Sequence, residues 1–194
     1  MKRSKINALL KDAVDFMQSM QIKLPPFAYF TPEEWAKKDS AWAEIRDNMQ
    51  GWDITDFGGG DFLKKGLLLF TMRNGNLIVE EGQVTPFHFH WKKMEDIINR
   101  GGGNLLVQVY NDDGNGGFAD TPVKIMSDGH HFTVPAGEIL RLTPGQSISI
   151  YCGMYHSFWG EEGSGKILLG EVSQVNDDNT DNRFYEKQGR FPEI

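Results

Sequence analysis

The sequence predicts an all-β core, an antiparallel sandwich or barrel, preceded by an α-helical extension at the N terminus. Two observations carry this. The first third of the chain repeats its apolar residues at helical spacing, and from residue 53 onward the texture changes to short β-rich runs punctuated by Gly, Asn and Asp. Asn74-Gly75 and the stretch 111–117 are strong turn signals between such runs. The expected organisation is a helical extension over 1–52 packed on a β domain over 53–194.

In order along the chain, Ile6, Leu9, Leu10, Ala13, Val14, Phe16, Met17 and Met20 fall at spacings of three and four, along one face of an amphipathic helix. Lys23-Leu24-Pro25-Pro26 should end it, because the residue before a proline is driven out of the helical region. A second start follows at Thr31-Pro32-Glu33-Glu34. Thr31 suits the N-cap, Pro32 the first helical position and Glu34 the capping box, so the spacing predicts a helix reaching about Met49. Strands are then expected over 66–72, 76–79, 84–90, 104–110, 123–126, 131–134, 138–142, 147–151 and 166–172. Many short strands with polar turns suit two stacked sheets, as in jelly rolls. No repeat of solenoid length and no low-complexity linker divides the 194 residues, a length that suits one domain.

Composition narrows the function. With 20 Lys and Arg against 27 Asp and Glu, the net charge of −7 disfavours nucleic acid, whose phosphates are tracked by clustered cations. The basic start Met1-Lys2-Arg3-Ser4-Lys5 is followed by Lys11, Asp12, Asp15 and Gln18 rather than by an apolar signal core, and no run is long enough to span a membrane. A single cysteine, Cys152, excludes an internal disulfide framework or a Cys-cluster metal site. These features lead us to expect a cytoplasmic protein.

The chemistry concentrates in Gly82-Gln83-Val84-Thr85-Pro86-Phe87-His88-Phe89-His90-Trp91-Lys92-Lys93-Met94-Glu95. On a strand, His88 and His90 project from the same face. A bare imidazole pair on a buried strand face is costly unless something binds it. Glu95 follows closely enough for a bend or neighbouring strand to return its carboxylate to the same point, and mixed nitrogen and oxygen donors suit Zn, Mn, Fe, Co or Ni. His156, in Tyr155-His156-Ser157-Phe158-Trp159, is the fourth candidate ligand. His130 and His131 read as ordinary hydrogen-bonded or surface residues. Trp91 and Trp159 flank the candidate ligands, with core packing favoured over stacking on a sugar; Tyr110 has no role assignable from sequence.

Gly82, His88-x-His90, Glu95 and the glycines at 101–103 together resemble the first cupin motif. Pro135-Ala136-Gly137 is similar to the Pro-x-Gly of the second, although the histidine comes late, at His156. The longer stretches around 88–104, 155–159 and 170–182 resemble the D-lyxose isomerase family, over roughly residues 55–185. That resemblance implies a cupin jelly-roll barrel or sandwich and a dimeric, manganese-type enzyme. It implies metal ligands at His88, His90, Glu95 and His156, and interconversion of D-lyxose with D-xylulose, often with D-mannose and D-fructose as a secondary pair.

Such a reaction needs a Lewis-acid cation, a base that moves the proton and a cationic donor for the developing oxyanion. Lys93 is the candidate donor. Glu171, emerging from Ile167-Leu168-Leu169-Gly170, is the candidate base, since a carboxylate on so apolar a strand is awkward unless it meets a polar cavity. Under the family resemblance, Asp181 hydrogen-bonds sugar hydroxyls with Arg183 nearby. Three other readings compete: a metal-dependent cupin oxygenase, a non-catalytic sugar-binding cupin and a phosphosugar isomerase. The last lacks a glycine-rich phosphate loop.

Overall fold

The computed structural model describes every residue except 23, 48–49, 73, 175–179 and 190–194. Helix α1 (Arg3–Ser19) has the predicted apolar face: Ala13 and Met17 are fully buried, with Leu9, Leu10, Phe16 and Met20 partly so. It stops ahead of the prolines. Gln21 adopts a left-handed φ of 62°, while its N–H donates to the Gln18 carbonyl at 3.0 Å and the Ile22 N–H to the Met17 carbonyl at 2.9 Å. This pair of bonds is a Schellman closure, so carbonyl capping ends the helix before Pro25 and Pro26 act on it.

The second predicted helix is broken. Thr31 caps α2 (Pro32–Trp35) in the expected box, its Oγ1 accepting from the Glu34 N–H at 3.2 Å while its own N–H donates to Glu34 Oε2 at 2.7 Å. The chain restarts as a 3-10 turn over Ser40–Trp42, where Asp39 Oδ1 accepts from the Ala41 N–H at 3.0 Å, and continues into α3 (Ala43–Asp47). A side chain that caps a new turn competes with the helix it interrupts. Met49, the expected end, lies outside the described residues.

Fourteen strands follow among the described residues: β1 (Gly51–Thr55), β2 (Leu67–Met72), β3 (Asn74–Val79), β4 (Val84–His90), β5 (Glu95–Gly102), β6 (Leu105–Asp112), β7 (Phe118–Ala119), β8 (Val123–Ser127), β9 (His130–Val134), β10 (Ile139–Leu142), β11 (Ser147–Ile150), β12 (Met154–Gly160), β13 (Ile167–Ser173) and β14 (Asn182–Phe184). They form two antiparallel sheets, eight strands in the order β1-β2-β3-β13-β5-β11-β8-β9 and six built on β10-β6-β12-β4-β14, with β7 on β6. Late strands lie between early ones, β13 between β3 and β5 and β12 between β4 and β6, which is jelly-roll connectivity. The expected cupin architecture is the one observed.

The core lies between the sheets, where Leu77, Val79, Ile97 and Leu169 of the large sheet meet Val107, Val109 and Phe158 of the small one. Strands β2, β3 and β13 have little polar alternation, because their other face is covered too. Leu68, Phe70, Ile78 and Leu168 point outward and bury against Ala13 and Met17 of α1. Each such side chain contributes about 1.5–3 kcal/mol by leaving water. Gly102 (φ 89°) permits the close approach of the chain entering β13, since a Cβ there would collide with the Lys166 carbonyl.

Strand β4 is irregular at the position that matters most. Opposite β12, His88 pairs with His156 but Thr85 pairs with Phe158, so β4 holds one extra residue between them. This is a β-bulge, and Pro86 sits in it, where a missing N–H is tolerated. The bulge keeps Thr85 and His88 on one face although three positions apart.

Candidate active site

Three imidazoles come from the small sheet and one carboxylate from the large one. His88 and His90 share the inner face of β4, and His156 faces His88 across the β12 pairing. Ring centroids are 4.2 Å apart for His88 and His156, 5.2 Å for His88 and His90, and 5.7 Å for His90 and His156. Glu95, first residue of β5, enters from the facing sheet. All four side chains are buried, and one ligand atom from each lies within 4.8 Å of the others.

The hydrogen bonds show what this cluster is shaped to hold. His88 Nδ1 lies 2.8 Å from the Pro86 carbonyl in the bulge, and His156 Nδ1 lies 3.1 Å from the Met154 carbonyl. A carbonyl only accepts, so each Nδ1 carries the proton and each Nε2 presents a lone pair. His90 Nε2 and His156 Nε2 stand 3.3 and 3.2 Å from the two Glu95 oxygens. Neither has hydrogen-bond alignment, and both nitrogens are buried without a hydrogen-bond partner. Lone pairs converging with a carboxylate, and unsatisfied by protein, fit a divalent cation of borderline or hard character.

The electrostatics agree. Burial is the main force pushing the His88 pKa well below its ordinary value, helped by His156 and His90, so the imidazole is held neutral and ready to ligate. For Glu95 burial opposes ionisation, but the adjoining His156 and His90 rings and the charge of Lys93 outweigh it and hold the carboxyl well below the usual range.

The cluster opens into a cavity of about 630 Å³, mouth included, between the sheets. Lys93, only 4% exposed, reaches in from the β4–β5 connection with its Nζ 3.0 Å from Glu95 Oε2 and 3.4 Å from Glu171 Oε1. Glu171 descends from β13, its side chain 16% exposed. Lys93 and Glu171 therefore join the four candidate ligands, giving a cation, a carboxylate and a candidate metal site in one chamber. Sequence reasoning missed other lining residues, among them Asp53 and Thr55 of β1 and Asn182 and Phe184 of β14. Asp53 and Thr55 alternate in Trp52-Asp53-Ile54-Thr55, the one signal that could have found β1.

Other expected residues stand elsewhere. Asp181 is buried behind the Lys93 segment, where its carboxylate accepts from the Lys92 and Lys93 N–H groups at 2.8 and 3.0 Å, and it does not line the cavity. Arg183 alternates outward between Asn182 and Phe184; its Nη1 donates to the Phe184 carbonyl, and its guanidinium lies over Gly116. Trp91 is not core: it is 55% exposed, edge-on to Phe89 on the outer face of the small sheet. Period-two alternation turns it away from the histidines. Trp159 lines a separate groove on that outer face, Tyr110 stacks on Phe118 there at 4.3 Å, and His130 and His131 are exposed.

A sequence model described as D-lyxose isomerase matches residues 1–194, so the likeness extends beyond 55–185 and takes in the N-terminal helices. The chain is 48% identical to the D-lyxose/D-mannose isomerase of Serratia proteamaculans, covering 100% of this chain and 92% of that protein. It is 47% identical to that of Escherichia coli O157:H7, over 98% and 91%. Among solved structures, the L-ribose isomerase of Acinetobacter sp. DL28 in complex with L-ribose superposes with a TM-score of 0.64 at 12% identity, over 96% of this chain and 93% of that one. That likeness is one of fold.

Proposed function

The chain belongs to the D-lyxose isomerase family and is an aldose–ketose isomerase, and on that premise we propose that it interconverts D-lyxose with D-xylulose and, secondarily, D-mannose with D-fructose. The observation that carries this is the convergence of His88, His90, Glu95 and His156 on one point, in a chamber that also holds Lys93 and Glu171.

Those four side chains would hold a divalent cation, Mn2+ in our reading, which would supply Lewis-acid polarisation of the sugar. The remaining work falls to the chain. Glu171 takes the proton from the carbon beside the carbonyl and returns it to the former carbonyl carbon, while the hydroxyl proton passes from one of the two sugar oxygens to the other. Lys93 donates to the oxygen on which enediolate charge develops; its own charge is balanced by Glu95 and Glu171. The apolar walls, Leu67, Leu69 and Phe158 among them, limit water around that charge.

Among the described residues, Asp53, Glu95, Glu171 and Lys93 are the acidic and basic ones, histidines aside, that line the chamber. That balance receives a cation and repels a phosphate, favouring a free sugar over a phosphosugar. The polar set also argues against an oxygenase, whose chamber should be drier. We place the enzyme in the cytoplasm as a homodimer, a reading supported by the family resemblance and by Trp91 and Tyr185, each exposed on the outer face of the small sheet.

The test is a coupled assay of chelator-stripped protein against D-lyxose and D-mannose, with and without Mn2+. Ketose should form only with metal, and metal-independent turnover would refute the proposed cofactor. Deuterium from solvent entering the product carbon supports proton transfer, and turnover with none would favour a hydride shift.

A further inference from the structure

Lysine is a poor device for precise placement, because a flexible stem carries its charge. Here the ammonium must sit between two carboxylates, 3.0 Å from one and 3.4 Å from the other, at the end of a side chain rooted in a four-residue connection rather than in a strand. Something has to fix that root.

The fixing residue lies far along the sequence. Three successive N–H groups of the connection turn toward Asp181: Trp91 donates to its carbonyl at 3.3 Å, Lys92 to its Oδ1 at 2.8 Å and Lys93 to its Oδ2 at 3.0 Å. Asp181 is only 5% exposed. Hydrogen bonds to an ionised acceptor are roughly twice as strong as neutral ones, and each carboxylate oxygen is committed to the backbone rather than to the cavity. Asp181 also immediately precedes β14, which pairs with β4 through Asn182 and His90. One short segment therefore lines the chamber with Asn182 and Phe184 and, from behind, clamps the turn that aims Lys93.

We propose that Asp181 is a positioning residue for the isomerisation, acting through Lys93 and not through contact with the sugar. The inference rests on the reading of Lys93 as the oxyanion donor. An asparagine at 181 can accept with its oxygen, but its NH2 then confronts the other N–H, so the turn loses one of its two side-chain anchors. A displacement on the order of 1 Å at a catalytic group costs about 10²-fold in rate.

The experiment is a double-mutant cycle combined with amide hydrogen exchange by NMR on the metal-loaded protein. Asp181→Asn should lower kcat about 10²-fold with KM for D-lyxose and bound metal nearly unchanged. In a Lys93→Met background the same substitution should cost almost nothing more, since the group it positions is gone. The amides of Lys92 and Lys93 should lose protection in Asp181→Asn while β12 keeps its own. If Asp181→Asn fails to fold, Asp181→Ser, which keeps one acceptor, is read by the same criteria. Equal losses in the two backgrounds, or protection at Lys92 and Lys93 unaffected by the substitution, would overturn the proposal. A parent protein without turnover sinks the isomerase reading instead, and the exchange data still report whether Asp181 clamps the turn.

Discussion

Replacing Glu171 by glutamine isolates the proton-transfer role, because the structure says what the change leaves intact. The side chain is 16% exposed and touches the polar cluster through Lys93 at 3.4 Å; the four candidate ligands lie beyond that lysine, which keeps Glu95 at 3.0 Å. Breaking a buried ion pair outright costs about 3–5 kcal/mol, but Lys93 keeps Glu95 and glutamine keeps an oxygen that can accept from it, so a loss of about 1 kcal/mol is expected. For a chain of this size that lowers Tm by about 2–4 °C. Removing a general base costs about 10²–10⁴ in kcat, which is about 2.7–5.5 kcal/mol of barrier at about 1.36 kcal/mol per tenfold. The effect on rate should therefore far exceed the effect on stability. Purified Glu171→Gln is to be compared with the parent for metal content, Tm and kcat on D-lyxose. Full metal and a near-native Tm with less than about 1% of the parent kcat are expected. If the variant retains more than about a tenth of the activity at equal metal content, Glu171 is not the base and proton transfer must be assigned elsewhere.

His88→Ala removes an imidazole whose Nδ1 is already tied to the bulge; bound metal should fall well below one equivalent, measured by elemental analysis, while the chelated forms of variant and parent melt within a few degrees of each other. The chelated parent should lose stability as pH drops below about 6.5: burial depresses the folded His88 pKa, so the unfolded chain binds a proton the folded one refuses. The slope is up to about 1.4 kcal/mol per pH unit. Glu95, whose folded pKa is also depressed, contributes stability present above its unfolded value and lost at more acid pH, and a urea midpoint flat from pH 7 to 5 would contradict the His88 assignment. Gln21→Gly should stabilise by about 1 kcal/mol, because it removes the penalty of a left-handed φ on a residue with a Cβ; a lower Tm would show that the Gln21 side chain matters more than its backbone.

The strands that read clearly in the sequence were the apolar ones. Runs such as Leu67-Leu68-Leu69-Phe70 and Ile167-Leu168-Leu169 announce themselves because both faces are covered, one by the opposite sheet and one by α1. Strand β5 was hidden for the opposite reason: its buried face spends Glu95 on the site and Asn99 on hydrogen bonds to the Gly103 and Leu142 carbonyls, so it reads as polar loop. The convergence of His88 and His90 was legible because His-x-His spacing depends on strand geometry alone. What Asp181 does was not, since its partners are backbone N–H groups 88 and 89 positions away, and no residue type encodes such a pairing. The helix expected from Thr31 to about Met49 breaks on local chemistry: the Asp39 carboxylate caps a fresh turn.

The division of ligands between the layers reaches beyond catalysis. With three imidazoles on one sheet and the carboxylate on the other, a bound cation would rivet the two halves of the sandwich to each other. Ion radius would then set the gap between the layers, and exchanging a smaller metal for a larger one should alter the girth of the sugar chamber as well as the acidity within it.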